Sequence, residues 1–294
     1  MPELPDVTVY IECLKPRILG HEVRGARALN PFVLRTVAPP LSAAVGQAVR
    51  SISRLGKRIV IGTDRELYIV VHLMIAGRLR WREDGKKIAG KLAQASFDFG
   101  GGTLYLTEAG SKRRASIHVV EGAQSLAQFD RGGLEVLDAD VADFAGRLRS
   151  ENHTLKRSLT DPRLFSGIGN AYSDEILHRA QLSPLMLTPR LSDEQIEALF
   201  AATKSTLIDW TNRLRAEVGD GFPEKVTAFR EGMAVHGRYN LPCPVCGAPV
   251  QRIRYADNET NYCARCQTGG RLLADRAMSR LLKQDWPRSI DEVE

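Results

Sequence analysis

Four of the chain's five cysteines fall between positions 243 and 266: Cys243-Pro-Val-Cys246, sixteen further residues, then Cys263-Ala-Arg-Cys266. Two Cys-x-x-Cys knuckles at that separation suit one tetrahedral zinc held by four thiolates. With every position filled by protein, that zinc is structural, and no catalytic metal is expected. Two disulfides or two redox motifs are the alternatives; nothing points to secretion, and Gly247 and Gly269 stand where knuckles turn. Cys13, alone on an apolar helical face, reads as an inert core thiol. The other end of the chain begins Met1-Pro2-Glu3-Leu4-Pro5-Asp6. A small second residue lets the initiator methionine be removed, which would leave Pro2 as a secondary amine. An α-amino group has a pKa of about 8 against roughly 10.4 for lysine, so part of it is nucleophilic at neutral pH. Glu3 beside it could donate or accept protons, and as a helix N-terminal carboxylate it would also suit the macrodipole. Taken alone, a Met-Pro start means only a processed end. Gly167-Ile168-Gly169-Asn170 opens a predicted helix through Arg179, where close backbone approach and N–H donors suit a phosphate. A tight helix–helix connection is the competing reading.

These residues need elements to hold them. Val7, Ile11, Leu14 and Ile18 recur at helical spacing and predict an opening amphipathic helix. The runs Arg58–Gly62, Leu67–Leu73, Ala95–Phe99, Thr103–Thr107 and Ser116–Val120, separated by turns such as Glu83-Asp84-Gly85, predict a β-sandwich or barrel. From about 130 to 218 the pattern is helical, with Ala142–Ser150 entering it and Leu199, Thr203, Leu207, Trp210 and Leu214 continuing it. The fold class is α+β multidomain, with expected domains at 1–128 (β), 129–222 (helical), 223–270 (zinc ribbon) and a helical tail at 271–294. The 294 residues, 43% hydrophobic and 26% charged, are ordinary globular composition and exclude a disordered chain or a coiled-coil rod. The longest apolar run, Leu67–Ala76, is broken by His72 and too short to span a membrane, and no secretory signal opens the chain. A soluble, intracellular chain without a membrane partner is expected. A formal net charge of +6 favours a polyanion, and aromatics at 6% make base stacking a minor part of recognition.

Met-Pro-Glu-Leu-Pro-Asp-Val, Gly56-Lys57-Arg58 before a strand, His72-Leu73 with Gly77, Phe165 through Glu175, and the finger closing on Cys266-Gln267 together resemble the formamidopyrimidine-DNA glycosylase / endonuclease VIII family. The resemblance spans about residues 2–268. It implies an N-terminal β-sandwich with an opening helix, a helix–two-turn–helix domain, and a four-cysteine zinc ribbon. It also implies a base-excision-repair enzyme, DNA glycosylase and abasic-site lyase, acting as a monomer on damaged or abasic DNA. The expected location is the bacterial cytoplasm, at the nucleoid. By this resemblance Pro2 attacks C1′, expels the base and forms a Schiff base, from which elimination cuts the strand. Glu3 serves as acid and base at the sugar ring oxygen, and Lys57 contacts phosphate and the reacting sugar. His72, Lys156 and Asn170 meet the DNA backbone, Ile75 fills the gap left by a flipped nucleotide, and that nucleotide enters a cleft between the β and helical domains. Glu175 matches too, with either a DNA role or a hydrogen bond to the turn.

Several positions depart from the family pattern. Asp6 replaces a glutamate and is expected to cap or brace the first helix. Ile75 replaces a methionine; Met74, one place earlier, would face the other way on a strand. The Asp-Pro-Arg-Arg-Phe-Gly loop is replaced by Glu108-Ala109-Gly110-Ser111-Lys112-Arg113-Arg114, without phenylalanine. The arginine expected five positions before the third zinc cysteine is Asn258, for which Arg252 or Arg254 on the other ribbon strand are candidate replacements; Arg254 is the expected DNA contact. The tail, with apolar spacing from Leu272 to Trp286, is expected to pack rather than clamp DNA, and Gly219–Lys225 is the mobile candidate for covering a flipped base. The alternative function is a damaged- or abasic-DNA-binding protein that kept the fold but lost base excision.

Overall fold

The computed structural model describes residues 1–83, 86, 88, 92–110, 112–255, 258–285 and 287–292. The Asp84-Gly85 turn, Ser111 and Trp286 lie outside the described residues. Two compact units form, Met1–Arg131 with Trp210–Thr227, and Gly132–Asp209 with Ala228–Glu294.

The first unit opens with α1 (Leu4–Ile18), whose expected apolar face, Val7, Ile11, Leu14 and Ile18, is buried, together with Tyr10. Among the described residues, eight strands follow: β1 (Gly25–Ala28), β2 (Val49–Leu55), β3 (Arg58–Thr63), β4 (Leu67–His72), β5 (Gly77–Arg82), β6 (Ala93–Asp98), β7 (Thr103–Glu108) and β8 (Ser116–Glu121). They make two antiparallel four-stranded sheets, β1-β6-β7-β5 and β2-β3-β4-β8. Ile59, Ile61, Ile69, Val71, Ile117 and Val119 of one sheet share a core with Leu79, Phe97, Leu104 and Leu106 of the other and with α1. This is the sandwich expected from the alternating runs. β1 (Gly-Ala-Arg-Ala) and β5 (Gly-Arg-Leu-Arg-Trp-Arg) carry no β-branched residue, so their strand character comes from pairing with β6 and β7. Cys13 is only half-buried, and burial pushes its thiol up, which keeps it protonated.

The second unit contains α2 (Val141–Arg149), capped by the Asp140 carboxylate on the Asp143 amide at 2.8 Å. Then come α3 (Leu155–Thr160), α4 (Asn170–Arg179) and α5 (Asp193–Val218), whose residues from Trp210 onward count with the first unit. Phe144 packs between Phe165 and Phe200, with ring centroids 4.8 and 5.3 Å away. The ribbon hairpin pairs β9 (Gln251–Tyr255) with β10 (Asn258–Tyr262), and α6 (Ala264–Thr268) carries the second knuckle. The tail contains a short helix, α7 (Arg276–Leu282), and it packs: Leu272, Leu273 and Ile290 complete the ribbon core with Val235, Val250, Ile253 and Tyr262. Among the described residues, no helix is long and apolar enough to cross a membrane.

Candidate active site and phosphate-binding elements

The start of the first unit gathers buried acids and cations. Glu3 is the N-cap of α1; its amide donates to Asp6 Oδ2 at 2.9 Å, and its carboxylate accepts the Asp6 amide in return. Both acids are buried, and Asp6 caps the helix as expected. Burial lowers the α-amino group of Met1 below its ordinary value, with Glu3 opposing, Arg78 adding, Asp6 opposing and Lys57 adding. Lys57 sits in the β2–β3 turn beside Gly56, whose left-handed φ of +60° favours glycine. Arg78, which the sequence reading did not single out, donates to the carbonyls of Ile75 (3.0 Å), Gly77 (2.7 Å) and Val226. The only hint of it was an Arg-x-Arg-x-Arg alternation at positions 78, 80 and 82.

His72 ends β4, opposite Arg58 on one side and Ser116 on the other. Burial, then Arg58, Lys57 and His118, push its imidazole down to about 4, so it is neutral at pH 7 and can donate one hydrogen bond. Residues 74–76 form a turn, so the strand-face argument about Met74 does not apply; Met74 has φ +52° and Ile75 is 59% exposed at the tip. A Cβ on Gly77 would sit 2.2 Å from the Leu73 carbonyl oxygen, which explains the glycine closing this turn. The altered loop is braced by buried Glu108, whose Oε1 accepts the amides of Arg114 (2.9 Å) and Ala115 (3.1 Å). Arg113 and Arg114 are exposed, and Ala115 is buried. Gly219–Lys225 is tethered: Arg17 donates to the carbonyls of Asp220 (3.1 Å) and Gly221 (2.9 Å), and Glu224 pairs with Arg82.

In the second unit Gly167, at φ +78°, turns the chain into α4, and Gly169 at the N-cap brings no capping side chain. Asn170 Nδ2 donates to the Glu259 carbonyl at 3.0 Å, which uses one of its two N–H groups. Lys156, expected to face phosphate, points inward: its Nζ lies 2.5 Å from Asp174 Oδ1 and 2.7 Å from the Asn170 carbonyl oxygen, with 11% of the side chain exposed. The other Asp174 oxygen meets His236 Nδ1 at 2.8 Å. Glu175 accepts the amides of Ala234, Val235 and His236 at 2.7–2.9 Å, so its structural role is to hold that segment. On the ribbon, Arg252 lies 4.0 Å over the Tyr239 ring and 3.8 Å from Glu259. Arg254 is exposed, and its backbone amide is fixed by Asp275 at 2.7 Å. Register places Arg254 opposite Glu259, on the face away from Asn258.

The sulfurs of Cys243, Cys246, Cys263 and Cys266 all lie within 4.8 Å of one another. A ZnS₄ tetrahedron with Zn–S near 2.3 Å requires sulfurs about 3.8 Å apart. The observed Cys243–Cys266 separation is 3.9 Å and Cys246–Cys263 is 3.3 Å, so the four residues fit a structural zinc.

Comparison with known proteins agrees with this arrangement. Residues 1–114 match the formamidopyrimidine-DNA glycosylase N-terminal domain, residues 134–212 its H2TH domain, and residues 240–269 the zinc finger found in FPG and IleRS. The formamidopyrimidine-DNA glycosylase of Thermus thermophilus is 31% identical over 285 residues, covering 92% of this chain and all of the relative. An uncharacterized formamidopyrimidine-DNA glycosylase-like protein of Mycobacterium tuberculosis is 46% identical over 151 residues, covering 51% of this chain and 94% of the relative. The crystal structure of the Thermus thermophilus MutM (Fpg) protein superposes with a TM-score of 0.75 at 29% identity, over 90% of this chain and 98% of that one. Lactococcus lactis Fpg, solved non-covalently bound to DNA containing an AP site, gives 0.78 at 25% identity over 90% and 99%. This chain belongs to the formamidopyrimidine-DNA glycosylase family.

Proposed function

We propose that this protein is a base-excision-repair DNA glycosylase with abasic-site lyase activity, using Pro2 as nucleophile once Met1 is removed. The carrying observation is the chain start itself: Glu3 and Asp6 are buried together beside a terminal amine that burial pushes toward its neutral form, against the opposing charges of Glu3 and Asp6. A neutral secondary amine attacks C1′ as the bond to the damaged base breaks; the amine nitrogen sheds its proton, and the departing base takes one up. Glu3 delivers a proton to the sugar ring oxygen, and the ring opens to an iminium. That iminium acidifies the C2′ proton; its removal expels the 3′ phosphate and cuts the strand. Lys57 and neutral His72 hold phosphate on this side, and Ile75 is the apolar wedge. Asn170, through its second N–H, and Arg254 grip the backbone from the second unit, with Lys156 as a positioning residue beneath Asn170. The zinc ribbon is structural.

Incubation of the full-length protein with a duplex carrying one abasic site, in the presence of borohydride, tests this. A covalent protein–DNA adduct is the expected result. DNA binding with no adduct would overturn it in favour of a binder that has lost excision.

A further inference from the structure

Asn170, Asp174 and His178 are spaced four apart, so they lie along one face of α4. Each meets the ribbon or the segment leading into it: Asn170 at the Glu259 carbonyl, Asp174 at His236, and His178 at Cys243. The third contact reaches the metal cluster directly. His178 Nε2 lies 3.2 Å from Cys243 Sγ, and both residues are buried, with 6% and 2% exposed. We propose that His178 is an outer-shell partner of the zinc site, donating an N–H to the Cys243 thiolate and so coupling zinc occupancy to the placement of Asn170.

Four thiolates around one Zn²⁺ leave the cluster with excess negative charge. A buried N–H aimed at one sulfur disperses it, and a charged acceptor makes that hydrogen bond stronger than one to a neutral thiol. The acceptor also fixes the tautomer, since Nε2 must carry the proton. The second knuckle is tied in the same direction by Gln267, which accepts the Cys263 amide at 2.8 Å and donates to the Leu182 carbonyl, just past α4, at 2.9 Å. Zinc therefore organises α4 through side chains as well as folding the ribbon. With zinc gone, the thiolate acceptor goes too, and the stripe that ends in Asn170 loses its far anchor.

The test uses full-length, zinc-loaded protein with His178→Phe and with His178→Gln, which keeps an N–H donor at similar reach. Zinc release into a chromophoric chelator is read first. His178→Phe should release zinc about tenfold faster than the parent and His178→Gln within about threefold. Equal rates for parent and His178→Phe would overturn the proposal, and so would equally fast loss from both variants, which would assign the effect to packing. Affinity for a duplex with an uncleavable abasic analogue is read second, and this arm rests on the proposed function. His178→Phe and Asn170→Ala should each weaken binding, and the double variant should lose no more than the worse single one. Fully additive losses would overturn the coupling. A parent protein that binds no such DNA would overturn the proposed function, while the zinc measurement would still decide the role of His178.

Discussion

The two units treat buried charge in opposite ways. In the first, burial dominates: it lowers the chain-start amine, with Glu3 and Asp6 opposing and Arg78 and Lys57 adding, and it lowers His72, helped by Arg58, Lys57 and His118. Burial favours the neutral form of both nitrogens, so their lone pairs are more available at neutral pH. In the second, buried charged groups meet partners: Asp174 lies between Lys156 and His236, and Glu175 accepts three amides. Blocking the first region should therefore abolish chemistry and spare binding. Protein that retains Met1, or carries a tag ahead of Pro2, should lose strand cutting by at least about a thousandfold, roughly 4 kcal/mol, with DNA affinity nearly unchanged. Normal cleavage by such protein would end the assignment of Pro2.

Breaking the matched region should do the reverse and cost stability first. Asp174→Asn leaves Lys156 buried without its counter-charge, a loss of about 3–5 kcal/mol. Asp193→Asn, in the exposed pair with Arg149, should cost less than about 1 kcal/mol. Similar denaturation midpoints for the two variants would contradict the contrast. His72 gives the first unit a pH signature. Its folded value of about 4 lies below the ordinary imidazole value of 6.5, so the unfolded chain takes up the proton first. Stability should fall as pH drops from about 6.5 toward 4, by at most about 3 kcal/mol from this group, and His72→Gln should flatten that slope. An unchanged slope would mean that His72 is not the group responsible. A smaller effect is expected at Arg254: Arg254→Gln should weaken DNA binding about tenfold and reduce the salt slope by about 1. Arg252→Gln serves as the comparison, because that guanidinium is already engaged by Tyr239 and Glu259.

The metal knuckles, the capped opening helix and five of the sandwich strands were legible because short-range spacing dictates them. What escaped depends on depth and on partners far along the chain. A helical lysine such as Lys156 can be assigned to a face from spacing, but whether that face meets solvent or Asp174, eighteen residues on, is decided by packing. The same holds for Arg78, which reaches a carbonyl 148 positions away, and for His178, whose contact with Cys243 spans 65. Glu108 was legible only as the first residue of an altered loop; its role, accepting the amides of Arg114 and Ala115, needed the fold.

That loop carries the smallest and most discriminating prediction. In the family pattern an arginine and a phenylalanine there probe the base opposite the lesion and fill the gap. Here the buried Ala115 follows two exposed arginines, and Glu108 fixes the backbone beneath them. The short methyl of Ala115 provides no wedge, so the proposed wedge rests on Ile75, exposed at its turn. One bidentate arginine contact is worth roughly 1–3 kcal/mol of base discrimination, and it requires the guanidinium to be held in register. Arg113 and Arg114 are exposed on a loop braced through its backbone, so burial does not set their rotamers. Rates for one lesion opposite each of the four bases should therefore differ by less than about tenfold, roughly 1.4 kcal/mol. Because flipping is cheapest where stacking is already weak, single-stranded and abasic substrates should be cut faster than an oxidised purine in a matched duplex. A preference above tenfold that disappears in Arg113→Ala or Arg114→Ala would show that this loop still reads the partner strand.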